Sequence, residues 1–507
     1  MVTAAWWRRV SHTESTPILL LFGGALCVMV AAAVAVLVAI NSRPIADDFG
    51  LMPWIGNSSP LSFLHSYWIG LTDRYANAVL LLLSVKAFGV HAVQLTPLLL
   101  LALLCAFATI AARNAGAGRR GRLGAPLIGC LAVIAMIVSA PSLFDTIGWF
   151  NAVAIYLAGM TATVAVGAWM AHLTARASTP GRGHLLLSFA LGGVAAGFTE
   201  VLGAVLVLAA LLAAVNVAVV ENSAERRRRL IASFGAIATG AAVGVAIIFV
   251  GPGTRLRAHA QQASMSLVRL GTAIANNAWF LHSFLDWRAL PAVAVGLAFC
   301  ALRGPLSTGN GVRWLIAWAA FLLFAPLVVV GVMTGYAGST IAPYRTAFIA
   351  TASIAAGVGV LTYLAAGVAV AARPSLRGLL VPVALLTMAI GVGGFANSAS
   401  PLIRAERLRA TLMASRAASI HRQLHLHRTV ISIVPAPLID PTTQAYDLFY
   451  ARKPPYPFLV PAIREYYLIP ARDAVDIVKL QPRDYCLANV SVSWFGVRSC
   501  ELLERSR

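Results

Sequence analysis

The strongest constraint on this chain is a succession of ten apolar runs separated by short polar segments: 17–40, 95–112, 125–140, 153–173, 185–220, 230–250, 290–302, 314–333, 346–371 and 379–395. Lipid offers no partners to backbone N–H and C=O groups. A run of about 20 apolar residues therefore reads as one membrane-crossing helix. Composition agrees: 59% of the 507 residues are hydrophobic and 11% are charged, against about 25% charged in a soluble domain. The formal net charge of +21 argues for the membrane rather than for nucleic acid, because the arginines sit in short clusters between apolar runs.

Those clusters also order the topology. Six segments are arginine-rich: Arg8–Arg9, Arg113–Arg122, Arg176–Arg182, Arg226–Arg229, Arg303–Arg313 and Arg373–Arg377. Placing all six in the cytoplasm, as the positive-inside rule asks, puts both flanks of run 185–220 on one side. That run is too long for one span and must cross twice, with a turn near Glu200. The expectation is an all-α polytopic protein of about eleven spans in the plasma membrane. Its N-terminus is cytoplasmic, and a small C-terminal α/β domain lies outside. The boundaries are a membrane domain over 1–395, with a long first outer loop at 41–94, and an extracytoplasmic domain over 396–507. Within the loop, 75–93 reads as a helix along the membrane surface. Within the tail, a helix is expected near 404–427, followed by short strands.

Outside the tail and the cytoplasmic segments, six acidic residues remain: Asp47, Asp48, Asp73, Asp145, Glu200 and Asp286. All six fall on the outer side, which is where a polar site is expected. Asp47 and Asp48 follow the first span. Adjacent carboxylates at a membrane boundary repel unless a cation or a substrate hydroxyl compensates them. Either could act as a general base; a solvated acidic turn or a helix N-cap is the alternative use. Glu200 could pair with an arginine or bind an acceptor. Arg255 and Arg257, in Gly251-Pro252-Gly253-Thr254-Arg255-Leu256-Arg257, and Arg345, in Pro343-Tyr344-Arg345, offer guanidinium forks suited to phosphate oxygens; snorkelling to headgroups is the competing role. The turn's glycines would let backbone amides approach a ligand. Asp145, Trp149 and Asn151 share a short aromatic outer loop of the kind that binds sugars, although such aromatics also populate interface belts.

Cys27, Cys105, Cys130 and Cys300 lie in apolar runs, and Cys486 with Cys500 is a candidate disulfide if the tail faces an oxidising compartment. The His421–His427 group reads as a solvated helix face. No metal-ligand spacing is present, although the Asp47/Asp48 pair could hold a divalent cation without requiring one.

An Asp-Asp pair after the first span, in a long outer loop, resembles the membrane glycosyltransferases of the GT-C fold. The likeness is greatest to an uncharacterised bacterial group within that superfamily. Its members share an aromatic loop like Trp149-Phe150-Asn151, a glutamate like Glu200, a Pro-Gly-x-x-Arg turn like Pro252-Gly253-Thr254-Arg255, a Pro-x-Arg site like Pro343-Tyr344-Arg345, and a tail tyrosine pair like Tyr466-Tyr467. Thr254 stands where that group usually carries asparagine. The resemblance implies inverting sugar transfer from a polyprenyl-phosphate donor to an extracytoplasmic glycan or glycolipid acceptor, with no cofactor. In that scheme Asp47 or Asp48 is the base. Arg255, Arg257 and Arg345 bind the donor phosphate. Glu200, Asp145, Trp149, Asn151 and Tyr344 position sugar or acceptor. An alanine-, valine- and arginine-rich composition points to a GC-rich genome and, through it, to arabinofuranose or mannose as the sugar. A lipid-linked substrate transporter or flippase, and a non-catalytic envelope-assembly scaffold, are the rival classes. Against transport stand the lack of an internal repeat and the gathering of charge at one face rather than at the midplane.

Overall fold

The computed structural model describes residues 15–44, 48–70, 72–117, 123–176, 178–255, 266–282, 286–304, 310–337, 341–433 and 459–477. The fold is almost entirely helical. Helix α1 (Ser15–Asn41) leads to three shorter helices, α2 (Asp48–Asn57), α3 (Pro60–Gly70) and α4 (Tyr75–Phe88). Then follow α5 (Ala92–Asn114), α6 (Gly124–Val138), α7 (Phe150–Ala175), α8 (Arg182–Ala196), α9 (Glu200–Val220) and α10 (Ala224–Val250). The second half contains α11 (Leu267–His282), α12 (Leu290–Arg303), α13 (Asn310–Tyr336), α14 (Tyr344–Ala372) and α15 (Arg377–His425). Strand β1 (Val430–Ile433), helix α16 (Leu459–Tyr466) and strand β2 (Ala474–Ile477) complete the described tail.

Among the described residues, eight helices are long and apolar enough to cross a membrane, consistent with an all-α polytopic membrane protein. Helices α6, α8 and α12 are shorter, at 15, 15 and 14 residues. Large apolar side chains such as Phe22, Leu186 and Leu386 are exposed along the bundle, as expected where the solvent is lipid. The 185–220 run breaks where the arginine pattern requires: α8 ends at Ala196, a short turn follows, and Glu200 starts α9.

The main core joins α1, α5, α6, α7, α12, α14 and α15. A second cluster joins α7 to α8, α9 and α10. Between α8 and α10 the backbones nearly touch, since a Cβ on Gly192 would overlap the Ile237 carbonyl and one on Gly240 the Phe189 carbonyl. Small residues at such crossings allow the van der Waals contact that drives helix association where lipid is as apolar as leucine.

The first loop folds as a unit of its own. Leu51, Ile55, Phe63, Tyr67, Leu81 and Val85 form a core shared by α2, α3 and α4. Lys86 Nζ donates to the carbonyls of Gly56 (3.0 Å) and Ser58 (3.2 Å), which ties the α2–α3 link to α4. Helix α4 is separated from α5 by a three-residue turn, Gly89–His91.

Two features mark the tail. The 395/396 boundary falls inside α15, whose 49 residues run without a break, roughly 74 Å at 1.5 Å per residue. The helix expected near 404–427 is the C-terminal half of this single rod. The described strands form one parallel pair, Val430 opposite Ala474 through Ile433 opposite Ile477. Cys486 and Cys500 lie outside the described residues, as do Asp47 and Arg257.

Substituting Gly240→Val should drive a side chain into the α8 backbone and cost on the order of 2 kcal/mol. Thermal unfolding in detergent checks this: Gly240→Val should lower the midpoint by several degrees, whereas the same change at Gly235, where a Cβ meets nothing within 4 Å, should be nearly silent.

Candidate functional site

Four consecutive residues at the start of α4 fix the geometry of one set of helix ends. Asp73 is fully buried, and its carboxylate accepts hydrogen bonds from the backbone amides of Gly253 (3.3 Å) and Thr254. Arg74 meets Glu200 through a forked ion pair, Nε to Oε2 at 3.2 Å and Nη2 to Oε1 at 2.9 Å. Tyr75 donates its hydroxyl to the Gly193 carbonyl. The Ala76 amide donates to the Gly197 carbonyl at 3.2 Å. One short segment of the first loop thus grips the α8–α9 turn and the end of α10 together.

Two amides of the Gly251–Arg255 turn, those of Gly253 and Thr254, are donated to Asp73 rather than held open for a ligand. A Cβ on Gly251 would overlap that carboxylate, so the glycine serves the Asp73 contact. Of the two uses open to Glu200, pairing with an arginine or binding an acceptor, the structure shows the pairing, with Arg74. Both contacts share a cause: at a lipid boundary a charge is stable when paired and hydrogen-bonded. Arg255 is exposed beside this turn.

The aromatic loop forms the next layer. Backbone 144–148 is a π-helical turn, and a second lies at 153–157 inside α7. Such turns add a residue to the helical repeat, re-aim side chains, and recur at functional sites. Asp145, in the first, is buried, and its amide donates to Ser142 Oγ at 3.1 Å. Trp149 stands between the two turns, largely buried, and the Arg345 guanidinium carbon lies 5.1 Å from the centre of its ring. A guanidinium in such a cation–π contact is held in place beside the ring and keeps N–H groups that suit an oxyanion. One residue on, Thr346 Oγ1 donates to the Tyr156 hydroxyl at 3.1 Å, and Tyr156 feels the Arg74 charge. Tyr344 packs against the main core and Asn151 is half-buried. The site therefore runs continuously from Trp149–Arg345 through Thr346–Tyr156 to Arg74–Glu200 and Asp73.

Asp48 begins α2 and is fully buried. Its neighbour Phe49 packs into the tail core with Met413, Ile420, Ile463 and Tyr467. Phe49 meets Tyr466 edge-on at 5.1 Å, and Tyr466 meets Tyr467 at 5.0 Å. Burial, together with the nearby Tyr467 and Asp48, pushes the Tyr466 phenol up to about 12, against the opposing field of Arg43. Helix α15 holds the other end of this loop. Arg409 is buried and donates to the carbonyls of Arg43 (3.3 Å) and Pro44 (2.9 Å), with Glu406 3.6 Å from its guanidinium. Among the described residues no group of three His, Cys, Asp or Glu side chains could hold a metal ion.

Asp73, Arg74, Tyr156, Glu406 and Arg409 were not singled out by motif. One signal pointed to two of them: Asp73-Arg74 is a charged pair directly before an apolar helix, in a segment, 41–94, that otherwise has few cations. These features define a polytopic membrane protein with a buried polar layer at one set of helix ends. No family model, curated protein or solved structure matches the chain.

Two outcomes are expected. Arg74→Gln and Glu200→Gln should each destabilise the protein by on the order of 2 kcal/mol, and the double variant by less than their sum, because each single change strands one partly buried charge; a double-mutant cycle of detergent melting temperatures measures this. At high pH, docking of the tail should weaken. The unfolded phenol ionises near 10 while folded Tyr466 holds its proton to about 12. The stabilisation is therefore complete below the lower value and lost as pH rises through that window, by up to ~2 kcal/mol. Limited proteolysis across the range should show the loss in the parent and not in Tyr466→Phe.

Proposed function

We propose that this chain is a membrane glycosyltransferase that moves one sugar from a polyprenyl-phosphate donor to a glycan or glycolipid acceptor outside the cytoplasm. Eleven spans, with the arginine-rich segments cytoplasmic, would put the polar layer at the outer face, where such donors are used. The observation that carries the reading is the cation–π contact of Arg345 with Trp149, next to the buried Asp145 loop. It supports a cation held rigidly beside an aromatic wall, the pairing a phosphate-linked sugar would need.

In this scheme Asp48, or Asp47, accepts the proton of an acceptor hydroxyl. The acceptor oxygen attacks the anomeric carbon from the face opposite the phosphate. The bond between that carbon and the phosphate oxygen breaks, and the electron pair leaves with the lipid phosphate. Configuration inverts. Arg345 stabilises the charge growing on the departing phosphate, which is where fixed cations contribute most, with Arg255 and Arg257 as further phosphate ligands. Trp149, Asn151, Asp145 and Tyr344 flank the sugar. Arg74–Glu200 and Asp73 position the walls. Tyr466 and Tyr467, packed over Phe49, bring the tail to the acceptor side of Asp48. A divalent cation at Asp47/Asp48 is not needed for this chemistry.

Replacing Asp48 by Asn should lower the turnover of labelled polyprenyl-phosphate sugar by about 10²–10⁴-fold. Arg345→Gln should lower kcat/KM with the fold retained. Full activity in Asp48→Asn and Asp47→Asn alike would remove the proposed base. Movement of the lipid-linked sugar across liposomes with no new glycosidic product would indicate a flippase instead.

A further inference from the structure

At the opposite, arginine-bearing ends of the helices lies a cavity of about 650 Å³ between α7, α9, α10 and α13, within the size range of small-molecule sites. Its walls are mostly apolar, with Met170, Leu206, Ala213, Leu230, Phe234 and Trp318 among them. Along α9 it extends from Leu206 to Val220, roughly 21 Å of helix, more than the ~15 Å hydrocarbon depth of one leaflet. Its charged groups gather at one end, where Glu221 and Arg226 line the mouth with Thr174; of the other polar residues, Asn216 lies a turn above and Thr163 at the far end.

Arg226 braces that mouth. Its Nη2 donates to the carbonyls of Thr174 and Arg176, both at 2.8 Å, and its Nη1 pairs with Glu221. With Arg226 neutralised by Glu221, the start of α10 still carries Arg227, Arg228 and Arg229 against one acidic residue, Glu225, so the charge left there is positive. Arg229 is exposed on α10, about 60° around the helix from Arg226 and about 100° from Leu230. Arg176 is exposed across the mouth on the segment after α7. An apolar shaft one leaflet deep, capped by cations, complements a molecule with a long hydrocarbon chain and an anionic head.

We propose that this crevice is a binding site for an anionic glycerophospholipid, with an acyl chain along α9 and α10 and the headgroup phosphate between Arg229 and Arg176. The site is separate from the polar layer at the other helix ends, so it stands or falls independently of the transferase reading. A bound chain here would fill the seam joining the α7–α10 group to α13 and so stabilise their packing.

Trp318 gives a direct readout. The full-length protein in detergent is titrated with phosphatidylglycerol carrying brominated acyl chains, and separately with phosphatidylcholine carrying the same chains. The quenching lost in Trp318→Phe is taken as the site's signal. Saturable quenching by the anionic lipid is expected at least tenfold below the concentration needed for the zwitterionic one. Arg229→Gln and Arg176→Gln should each weaken it about fivefold. Arg228→Gln, on the opposite side of α10, should change it less than about twofold. Raising salt from about 0.1 M to about 0.5 M should weaken binding to the unaltered protein, a test that needs no variant to fold. Equal half-saturation by the two lipids with no salt dependence, or no quenching that depends on Trp318, would overturn the proposal.

Discussion

The structure depends on how four residues, Asp73 to Ala76, solve the problem of charge at a lipid boundary. An ionised carboxylate or guanidinium is costly where water is scarce unless it is paired and hydrogen-bonded. Asp73 takes two backbone amides from the Gly251–Arg255 turn, and Arg74 takes both oxygens of Glu200. Each pairing joins elements far apart in the chain, across 180 and 126 residues. The same contacts that make the charges tolerable therefore fix α4 against α8, α9 and α10. Nonpolar packing alone would set these helices side by side but would not fix their ends in register.

From that anchor the polar layer extends laterally. Tyr156 lies within the field of Arg74, Thr346 reaches Tyr156, and Arg345 lies over Trp149. The two π-helical turns around Trp149 have a mechanical role here. They flank Trp149, whose backbone is extended, and both Asp145 and Trp149 are buried where the regular α-helix is interrupted. The proposed chemistry needs this arrangement: a cation held by an aromatic plane, near carboxylates that the bundle buries.

A second convergence brings the ends of the sequence together. Arg409, in the C-terminal half of α15, grips the carbonyls of Arg43 and Pro44, and Phe49 enters the tail core beside Tyr466 and Tyr467. The first loop is thus held at one end by the tail and at the other by the contacts of Asp73 to Ala76. A rod as long as α15 can do this because it carries the register of the last span into the tail without a hinge. Glu406 accompanies Arg409 as its ion-pair partner in that buried clamp.

Membrane residence, the helical class and the break of the 185–220 run at Glu200 are legible in the order of the residues. These follow from one-dimensional patterns: apolar length against bilayer thickness, and arginine placement against the positive-inside rule. The sequence also marked most of the polar layer, since charged residues are rare in this chain and Asp48, Asp145, Glu200 and Arg345 stand out by scarcity. It did not determine partners. That Glu200 would serve Arg74, that Asp73 would occupy the amides of the Pro-Gly turn, and that Arg409 would clamp Arg43 and Pro44 were decided only by tertiary structure. Ion pairs and amide–carboxylate contacts act over a few ångströms, and no local periodicity records which helix end lies opposite which. Composition and spacing select the charges that need a partner; the packing of the bundle selects the partner.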